Sequence, residues 1–138
     1  MIQQGLLLDT CAIIFSSENQ HLSPEVAAQI ENAGALGMLF VSPVSSWELG
    51  RSVSHRRLAL ATDPLNFFLQ FIEVTSAKLC SMGPEYLVAS SFLPGPVHKD
   101  PFDRILIETA RRENLWLVTS DRAILAYGRQ GHVKTLAC

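Results

Sequence analysis

A chain of 138 residues with three cysteines is expected to fold as one domain around its own hydrophobic core, without the disulfides that much shorter chains need. Cys11, Cys80 and Cys138 lack the CxxC spacing of zinc and redox sites, which indicates free thiols in a reducing compartment. The formal net charge of −2 excludes a global attraction to nucleic acid, and no signal-like or membrane-spanning apolar run occurs, so we expect a soluble, cytoplasmic protein without membrane contact.

Short apolar runs alternate with longer amphipathic segments along the whole chain. The runs predict strands, which in chain order cover residues 5–8, 38–41, 73–75, 115–119 and 133–136. The other segments predict helices, which in chain order cover residues 11–15, 25–33, 43–53, 64–72, 85–93, 101–112 and 123–127. This alternation predicts an α/β fold with a mostly parallel sheet, helices on both faces and every strand end at one rim.

Helix starts and ends are marked by capping residues. Four helices begin with an N-cap residue followed by proline, namely Ser23-Pro24, Ser42-Pro43, Asp63-Pro64 and Asp100-Pro101. Gly34 or Gly37 is expected to end the second helix, and Gly128 the last.

Two of the predicted strands end in an aspartate beside a hydroxyl residue. Asp9-Thr10 follows residues 5–8, and Ser120-Asp121 follows residues 115–119. Helix capping explains either aspartate alone, but the repeat favours a shared site, because the carboxyl ends of parallel strands lie at one edge of a sheet. Asp103, in the first turn of a helix, is expected at the same edge.

Glu48 follows Trp47 on a partly buried helix, where a carboxylate needs an arginine or a metal as its partner unless it lies on the surface. Several crowded carboxylates repel one another, so a cluster of them is more plausible around a cation. Oxygen ligands without paired His or Cys suit Mg²⁺ or Mn²⁺. Such a metal deprotonates water and screens phosphate charge, which makes a nuclease the leading hypothesis.

Basic residues flank these acidic positions. Arg51 extends the helix of Glu48, while His98, Lys99 and Arg104 flank the DPFDR turn, so all four are expected to border the pocket where an RNA backbone would pass. A role for His98 as general base is an alternative.

Other side chains near these motifs have simpler explanations. The basic run His55, Arg56 and Arg57 is expected either along the same RNA path or as a solvated helix face. Trp47 and Trp116 have apolar neighbours, which favours core positions over base stacking, and Trp47 is expected to face inward with Val44.

Four segments, LLLDT, SPVSSWELGRSV, HKDPFDRILIETA and LWLVTSDRAI, occur in the order and spacing of PIN-domain ribonucleases, and the chain resembles in particular the VapC-like toxins of bacterial type II toxin–antitoxin pairs. The resemblance implies a three-layer αβα sandwich with an acidic metal pocket that cuts single-stranded or loop RNA. Asp9, Glu48 and Asp103 match the three principal acidic positions of that family, and Asp121 matches a fourth, more variable one.

The resemblance also implies partners and supporting residues. It implies a homodimer and a cognate antitoxin that inserts a segment near the pocket, with the apolar region of Phe67, Phe68 and Phe71 as either its groove or ordinary core. Thr10 and Ser120 match hydroxyl positions that hold a metal-bound water or a carboxylate, unless they serve only as turn or cap residues. Asp100 is interpreted mainly as an N-cap, with metal ligation as the alternative.

Other classes of protein fit less well. A receiver-like domain needs paired acids after its first strand, and a dinucleotide-binding module needs glycines after that strand, whereas this chain has Asp9-Thr10-Cys11-Ala12. A catalytically silent PIN-like module that binds RNA or protein remains the main alternative, and it would bind RNA without cutting it.

Overall fold

A computed structural model of the chain describes residues 4–18, 21–96 and 99–138. Its strands are β1 Leu6–Leu8, β2 Leu39–Val41, β3 Lys78–Leu79, β4 Trp116–Thr119 and β5 Thr135–Ala137. Its helices are α1 Thr10–Glu18, α2 Pro24–Ala35, α3 Pro43–Ser54, α4 Pro64–Thr75, α5 Pro84–Ala89, α6 Pro101–Glu113 and α7 Arg122–Arg129, and a 3-10 turn over Ser90–Phe92 follows α5. Within these ranges no helix is both long and apolar enough to cross a bilayer.

The strands form one sheet with the order β3-β2-β1-β4-β5, and every neighbouring pair is parallel. The central strand β1 pairs with β2 on one side and with β4 on the other, so that Leu8 lies opposite both Val41 and Val118. The chain first adds strands on one side of β1 and then crosses to the other side, so the strand order reverses between β1 and β4. In open parallel sheets, ligands bind outside the carboxyl ends of the strands at such a reversal.

The sheet separates two hydrophobic cores. Leu6 and Leu8 of β1 contribute to one core together with residues of α1, α2 and α4, whereas Leu7 contributes to the other together with residues of α6 and α7. Successive side chains of a strand point to opposite faces, so these three leucines belong to a strand that is covered on both sides. The predicted α/β fold, a three-layer αβα sandwich, is confirmed.

The predicted N-caps are also confirmed. The Ser23 hydroxyl accepts a hydrogen bond from the Val26 N–H at 3.2 Å, and the Ser42 hydroxyl accepts one from the Val44 N–H at 3.1 Å. The Asp63 carboxylate caps α4 in the same way, by accepting from the Asn66 N–H at 2.9 Å. Each side chain satisfies a helix N–H that has no partner within its own helix.

The third strand was predicted in the wrong place. Residues 73–75 form the last turn of α4, which ends at Ser76 in a left-handed conformation with φ 61°, and the strand follows at Lys78–Leu79. Both residues of this edge strand are exposed, so no buried apolar run marks it. Serine is an uncommon residue for a left-handed helix end, which is usually marked by glycine.

The ends of three helices also differ from prediction. Helix α1 continues to Glu18, and the helix predicted over residues 85–93 ends at Ala89 before the 3-10 turn. Helix α7 runs through Gly128 to Arg129. A Cβ atom at Gly128 would lie 2.7 Å from the Thr135 side chain, so this glycine allows α7 to pack closely on β5 and does not end the helix.

Trp47 does not point into the core. Its side chain is 56% exposed, and the buried residues of α3 are Val44, Ser45 and Leu49. The prediction of an inward-facing Trp47 was wrong because Ser45, a polar residue, occupies the buried stripe that the apolar spacing assigned to the tryptophan. Trp116 packs against the core, as predicted, and its indole N–H donates to Gln4 Oε1 at 2.8 Å.

Candidate active site

Two aspartates lie where the strand order reverses. Asp9 directly follows β1, and Asp121 lies two residues after the end of β4. Helix α6 brings Asp103 to the same place in its first turn, and α3 brings Glu48. All four predicted acidic residues line one pocket of about 190 Å³, so the structure brings together side chains that are distant in sequence.

Asp9 is the most deeply buried of these carboxylates, with 5% of its surface exposed. One of its oxygens accepts from the Ala12 N–H at 2.7 Å and thereby caps α1, and the Thr119 hydroxyl also bonds to its side chain. Burial, followed by the nearby charges of Glu48 and Asp121, raises the pKa of Asp9 to about 6 despite these two hydrogen bonds.

The Thr10 hydroxyl holds the side chain of Glu48 in position. The Thr10 hydroxyl donates to Glu48 Oε1 at 2.5 Å, and the Ser45 hydroxyl lies 3.0 Å from the same Thr10 oxygen. A carboxylate can only accept, so the single Thr10 proton belongs to Glu48. Burial first, and then the charge of Asp100, raise the pKa of Glu48, while the Thr10 hydrogen bond opposes this rise.

Asp103 has the most perturbed titration of the cluster. Burial raises the pKa of Asp103 to about 8, with further contributions from Asp100, Asp121, Glu48 and Asp9 in that order. The neighbouring Asp100 and Asp121 also line the pocket, and each caps a helix, since Asp100 accepts from the Phe102 N–H at 2.9 Å and Asp121 from the Ile124 N–H at 3.0 Å. The charges of the neighbouring acidic residues therefore contribute to the raised pKa values of Asp9, Glu48 and Asp103.

These residues fit a hard divalent cation by the chemistry of their donors. The pocket is lined by carboxylates and by the hydroxyl residues Thr10 and Ser120, which suit Mg²⁺ or Mn²⁺. No described Lys or Arg forms an ion pair with Asp9 or Glu48. Across residues 4–18, 21–96 and 99–138, no three acidic, His or Cys side chains already stand close enough together to hold an ion. The carboxylates of the pocket repel one another without a cation. Their side chains would therefore have to move inward to bind one.

A neutral thiol borders the same pocket. Cys11, the second residue of α1, is exposed and lines the pocket beside Asp9. Partial loss of solvent around the thiol group, followed by the charge of Asp9, raises the pKa of Cys11 to about 11. The thiol is therefore protonated near neutral pH and is not an anionic ligand there.

A basic groove adjoins the acidic pocket. It has a volume of about 590 Å³ and shares Glu48 and Asp100 with the pocket. Its basic lining consists of Arg51, His55, Arg57 and Lys99, all exposed. The structure thus places the predicted substrate-binding residues Arg51 and Lys99 beside the carboxylates.

The remaining predicted substrate contacts have different outcomes. Arg104 lines neither cavity, since its Nε donates to the Ser90 carbonyl at 2.9 Å. Asp103 and Arg104 are neighbours on α6, so their side chains point about 100° apart, and the role of Arg104 in binding RNA stays a prediction. Arg56 does not line the groove, in agreement with the solvated alternative. His98 lies outside the described residues, and its role stays a prediction.

Two supporting residues were missed from the sequence. Thr119 accepts a hydrogen bond from the Asp121 N–H at 3.0 Å and bonds to Asp9, so it joins the two aspartates across the strand reversal. Ser45 supports Thr10 from α3. A hydroxyl residue at the carboxyl end of a predicted strand could have indicated Thr119. Ser45 could be identified only once α1 and α3 were known to pack together.

Comparisons with known proteins agree on one family. The family model of the PIN domain matches residues 6–130. Ribonuclease VapC22 of Mycobacterium tuberculosis is 30% identical over 123 residues, which cover 88% of this chain and 91% of that protein.

Solved structures agree with the fold. The DNA-bound VapBC of Salmonella typhimurium matches with a TM-score of 0.64 at 14% identity, covering 97% of this chain and 98% of that one. VapBC2 of Rickettsia felis, bound to a promoter DNA fragment, matches with a TM-score of 0.67 at 14% identity, covering 96% and 97%. At this identity the two structures support the fold alone.

Proposed function

The chain belongs to the PIN-domain family, and from this premise we propose that it is a divalent-metal-dependent endoribonuclease that acts as the toxin of a toxin–antitoxin pair. The observation that carries the proposal is the pocket at the strand reversal, where Asp9, Glu48, Asp103 and Asp121 meet. Carboxylates with raised pKa values in a cleft are typical of functional sites, because burial of this kind costs stability that a purely structural role would not require. The relative named Ribonuclease VapC22 supports RNA as the substrate.

We assign the metal to Asp9, Glu48, Asp103 and Asp121, with Mg²⁺ or Mn²⁺ as the ion. A metal held there would lower the pKa of water and supply positive charge to the reacting phosphate. Thr119 and the Ala12 N–H orient the Asp9 carboxylate, and the Thr10 hydroxyl orients that of Glu48.

The basic groove supplies the charge that an RNA backbone needs. Arg51 follows Glu48 by three residues, Lys99 directly precedes Asp100, and both basic residues line the groove next to the pocket. Lys and Arg contacts to phosphate position a nucleic acid without reading its sequence. We therefore assign Arg51 and Lys99 to the backbone of the RNA, and Ser120 to the wall of the pocket itself.

Incubation of the purified protein with a mixed RNA pool tests this proposal. Cleavage with new ends is expected in Mg²⁺ or Mn²⁺, and none in chelator. Asp9→Asn and Asp103→Asn should each abolish cutting while the circular dichroism spectrum stays that of the wild type. Undiminished cutting by both variants would refute the site.

A catalytically silent binding module is the second candidate, since no three ligating side chains are already gathered within the described ranges. The same experiment separates the two. If wild-type protein retains RNA on a filter but cuts none of it in either metal, the silent module is correct and the nuclease is not.

Family membership also suggests protein partners. We propose a cognate antitoxin that covers the pocket, together with a homodimer. Phe68 and Phe71 are buried in the core, whereas Leu65 and Leu69 of the same helix α4 are 60% and 51% exposed, so α4 presents an apolar face outward. Co-purification of the protein with the product of an adjacent small gene, and loss of its RNA cleavage in that complex, is the expected result.

A further inference from the structure

Trp47 presents an aromatic surface directly beside the acidic pocket. It precedes Glu48 on α3, lines the basic groove and leaves 56% of its side chain exposed. Its indole ring lies 4.7 Å from the ring of Phe102, at an interplanar angle of 71°. This edge contact is a favourable aromatic geometry, which holds the indole in place without covering it.

Phe102 also connects the tryptophan to the catalytic residues. It precedes Asp103 on α6, and its N–H donates to the Asp100 carboxylate, which also accepts from the Asp103 N–H. Trp47 and Phe102 therefore belong to the two helices that carry Glu48 and Asp103. A group stacked on the indole would have a defined position relative to both carboxylates.

The charges around Trp47 distinguish its possible occupants. Arg51, Arg57 and Lys99 line the same groove, so a ligand there meets cations as well as an aromatic face. A protein partner of mainly apolar character would leave these cations poorly paired, whereas a nucleic acid offers a phosphate for the cations and a base for the ring. The groove is also continuous with the acidic pocket through Glu48 and Asp100.

We propose that Trp47 is the stacking platform for the base of one nucleotide next to the phosphodiester held in the acidic pocket. This inference rests on the proposed function and adds to it a subsite for an unpaired base. Stacking needs an unstacked base and tolerates any base identity, because every base has an aromatic face. The subsite therefore favours unpaired RNA and sets the spacing between the stacked base and the phosphodiester that is cut.

Steady-state cleavage of a short single-stranded RNA that the wild type cuts tests the subsite. Trp47→Ala should lower kcat/KM by roughly 5- to 100-fold, mainly through a higher KM, in line with the known range for one stacked base. Trp47→Phe keeps an aromatic ring and should remain within a few-fold of the wild type. Phe92→Ala is the matched control, because Phe92 is 79% exposed and does not line the groove.

An abasic scan of the same RNA separates stacking from a structural effect. Removing the base at each position in turn should lower wild-type kcat/KM most at one position near the cut, and at that position Trp47→Ala should cause no further loss. A lost fold or a displaced α3 would reduce cleavage equally at every position. That uniform loss would overturn the inference.

The remaining outcomes are also decisive. If the wild type cuts RNA and Trp47→Ala cuts it equally well, the stacking subsite is wrong while the nuclease stands. If the wild type neither cuts nor binds RNA, both the proposed function and the subsite fail. If Trp47→Ala changes the oligomeric state in sedimentation velocity and loses activity uniformly across the scan, Trp47 belongs to a protein interface.

Discussion

Asp9 differs from a buried carboxylate that serves stability. Glu108 is 8% exposed, and the Nε atom of Arg112 donates to it at 2.8 Å, with Arg111 4.0 Å away. Asp9 is 5% exposed and is held by an N–H and a hydroxyl group, with further carboxylates as its charged neighbours. A buried charge without an opposite charge is costly unless it is protonated or meets a cation. The site is thus prepared for a positive ligand.

Without metal, the free energy of unfolding should fall as the pH rises from about 4 to about 8. The native Asp103 has its pKa raised by burial to about 8, against 3.8 in a model peptide, so the native state holds a proton that the unfolded state has lost. Stability falls with pH wherever the native state binds more protons. Asp103→Asn removes this contribution, so in chelator it should melt higher than the wild type at pH 8 and nearly equal to it at pH 4.

Asp63→Asn serves as the control for that experiment. Asp63 caps α4 and is exposed, and asparagine caps about equally well, so this variant keeps Asp103 and should lose stability from pH 5 to 8 as the wild type does. Thermal melts followed by circular dichroism provide the measurement. A wild type whose stability in chelator is constant from pH 5 to 8 would contradict the raised pKa of Asp103.

In the sequence, helix capping and a place in the pocket were alternative explanations for the aspartates, yet the structure shows both at once. Asp9, Asp100 and Asp121 each accept a helix N–H and also line the pocket. A carboxylate has two oxygens, so one can cap while the other faces the cavity. The acidic motifs therefore predicted which residues gather at the pocket. A single sequence could not show that one carboxylate serves both as cap and as pocket lining.

Asp100 allows these two roles to be compared. Asp100→Asn keeps the cap and should retain most of the cleavage activity, whereas Asp100→Ala loses the cap and should lower the free energy of unfolding by about 1 kcal/mol. Urea denaturation and RNA cleavage measured on the same preparations separate stability from activity. Complete loss of cleavage in the stable asparagine variant would make Asp100 a metal ligand.

Among the elements, the strands that hold the site were the most predictable. The runs that end in Asp9 and Asp121 are buried on both faces, so an unbroken apolar run marks each of them. The edge strand β3 has two exposed residues and gave no such signal. The orientation of α3 could not be predicted from the sequence either, because the burial of its Ser45 depends on a hydrogen bond with Thr10 of another helix.

Two glycines within helices allow a test of how closely the elements pack. A Cβ at Gly34 of α2 would lie 2.4 Å from the Thr75 carbonyl oxygen of α4, whereas a Cβ at Gly50 of α3 would meet no atom within 4 Å. Gly34→Ala should therefore lower the free energy of unfolding by roughly 1–3 kcal/mol through overpacking. Gly50→Ala should raise it by roughly 0.5–1 kcal/mol, because alanine loses less backbone freedom in a helix.

Urea titrations of the two glycine variants beside the wild type provide the comparison. Opposite signs support the close approach of α2 and α4. If Gly34→Ala is as stable as Gly50→Ala, these helices have room to separate, and the packing described for this side of the sheet is wrong.

At the scale of the whole molecule, net charge is a poor guide to the site. The chain carries a formal charge of −2, yet an acidic pocket and a groove with Arg51, His55, Arg57 and Lys99 lie side by side. The topology explains this separation, since the strand reversal collects the aspartates, while the basic residues come from α3, from the segment that follows it and from the residue before Asp100. The net charge is a sum over both regions and therefore indicates neither of them.

Calorimetric titration of the protein with Mn²⁺ at pH 7, in two buffers of different ionisation enthalpy, tests the central claim most directly. Because the pKa of Asp103 is raised to about 8, the cation must displace a proton, so binding should release about one proton per ion. Asp103→Asn should bind more weakly and release fewer protons, and Asp9→Asn should also bind more weakly. Failure of the wild type to bind Mn²⁺, or equal binding by both variants, would contradict a metal site built from these carboxylates.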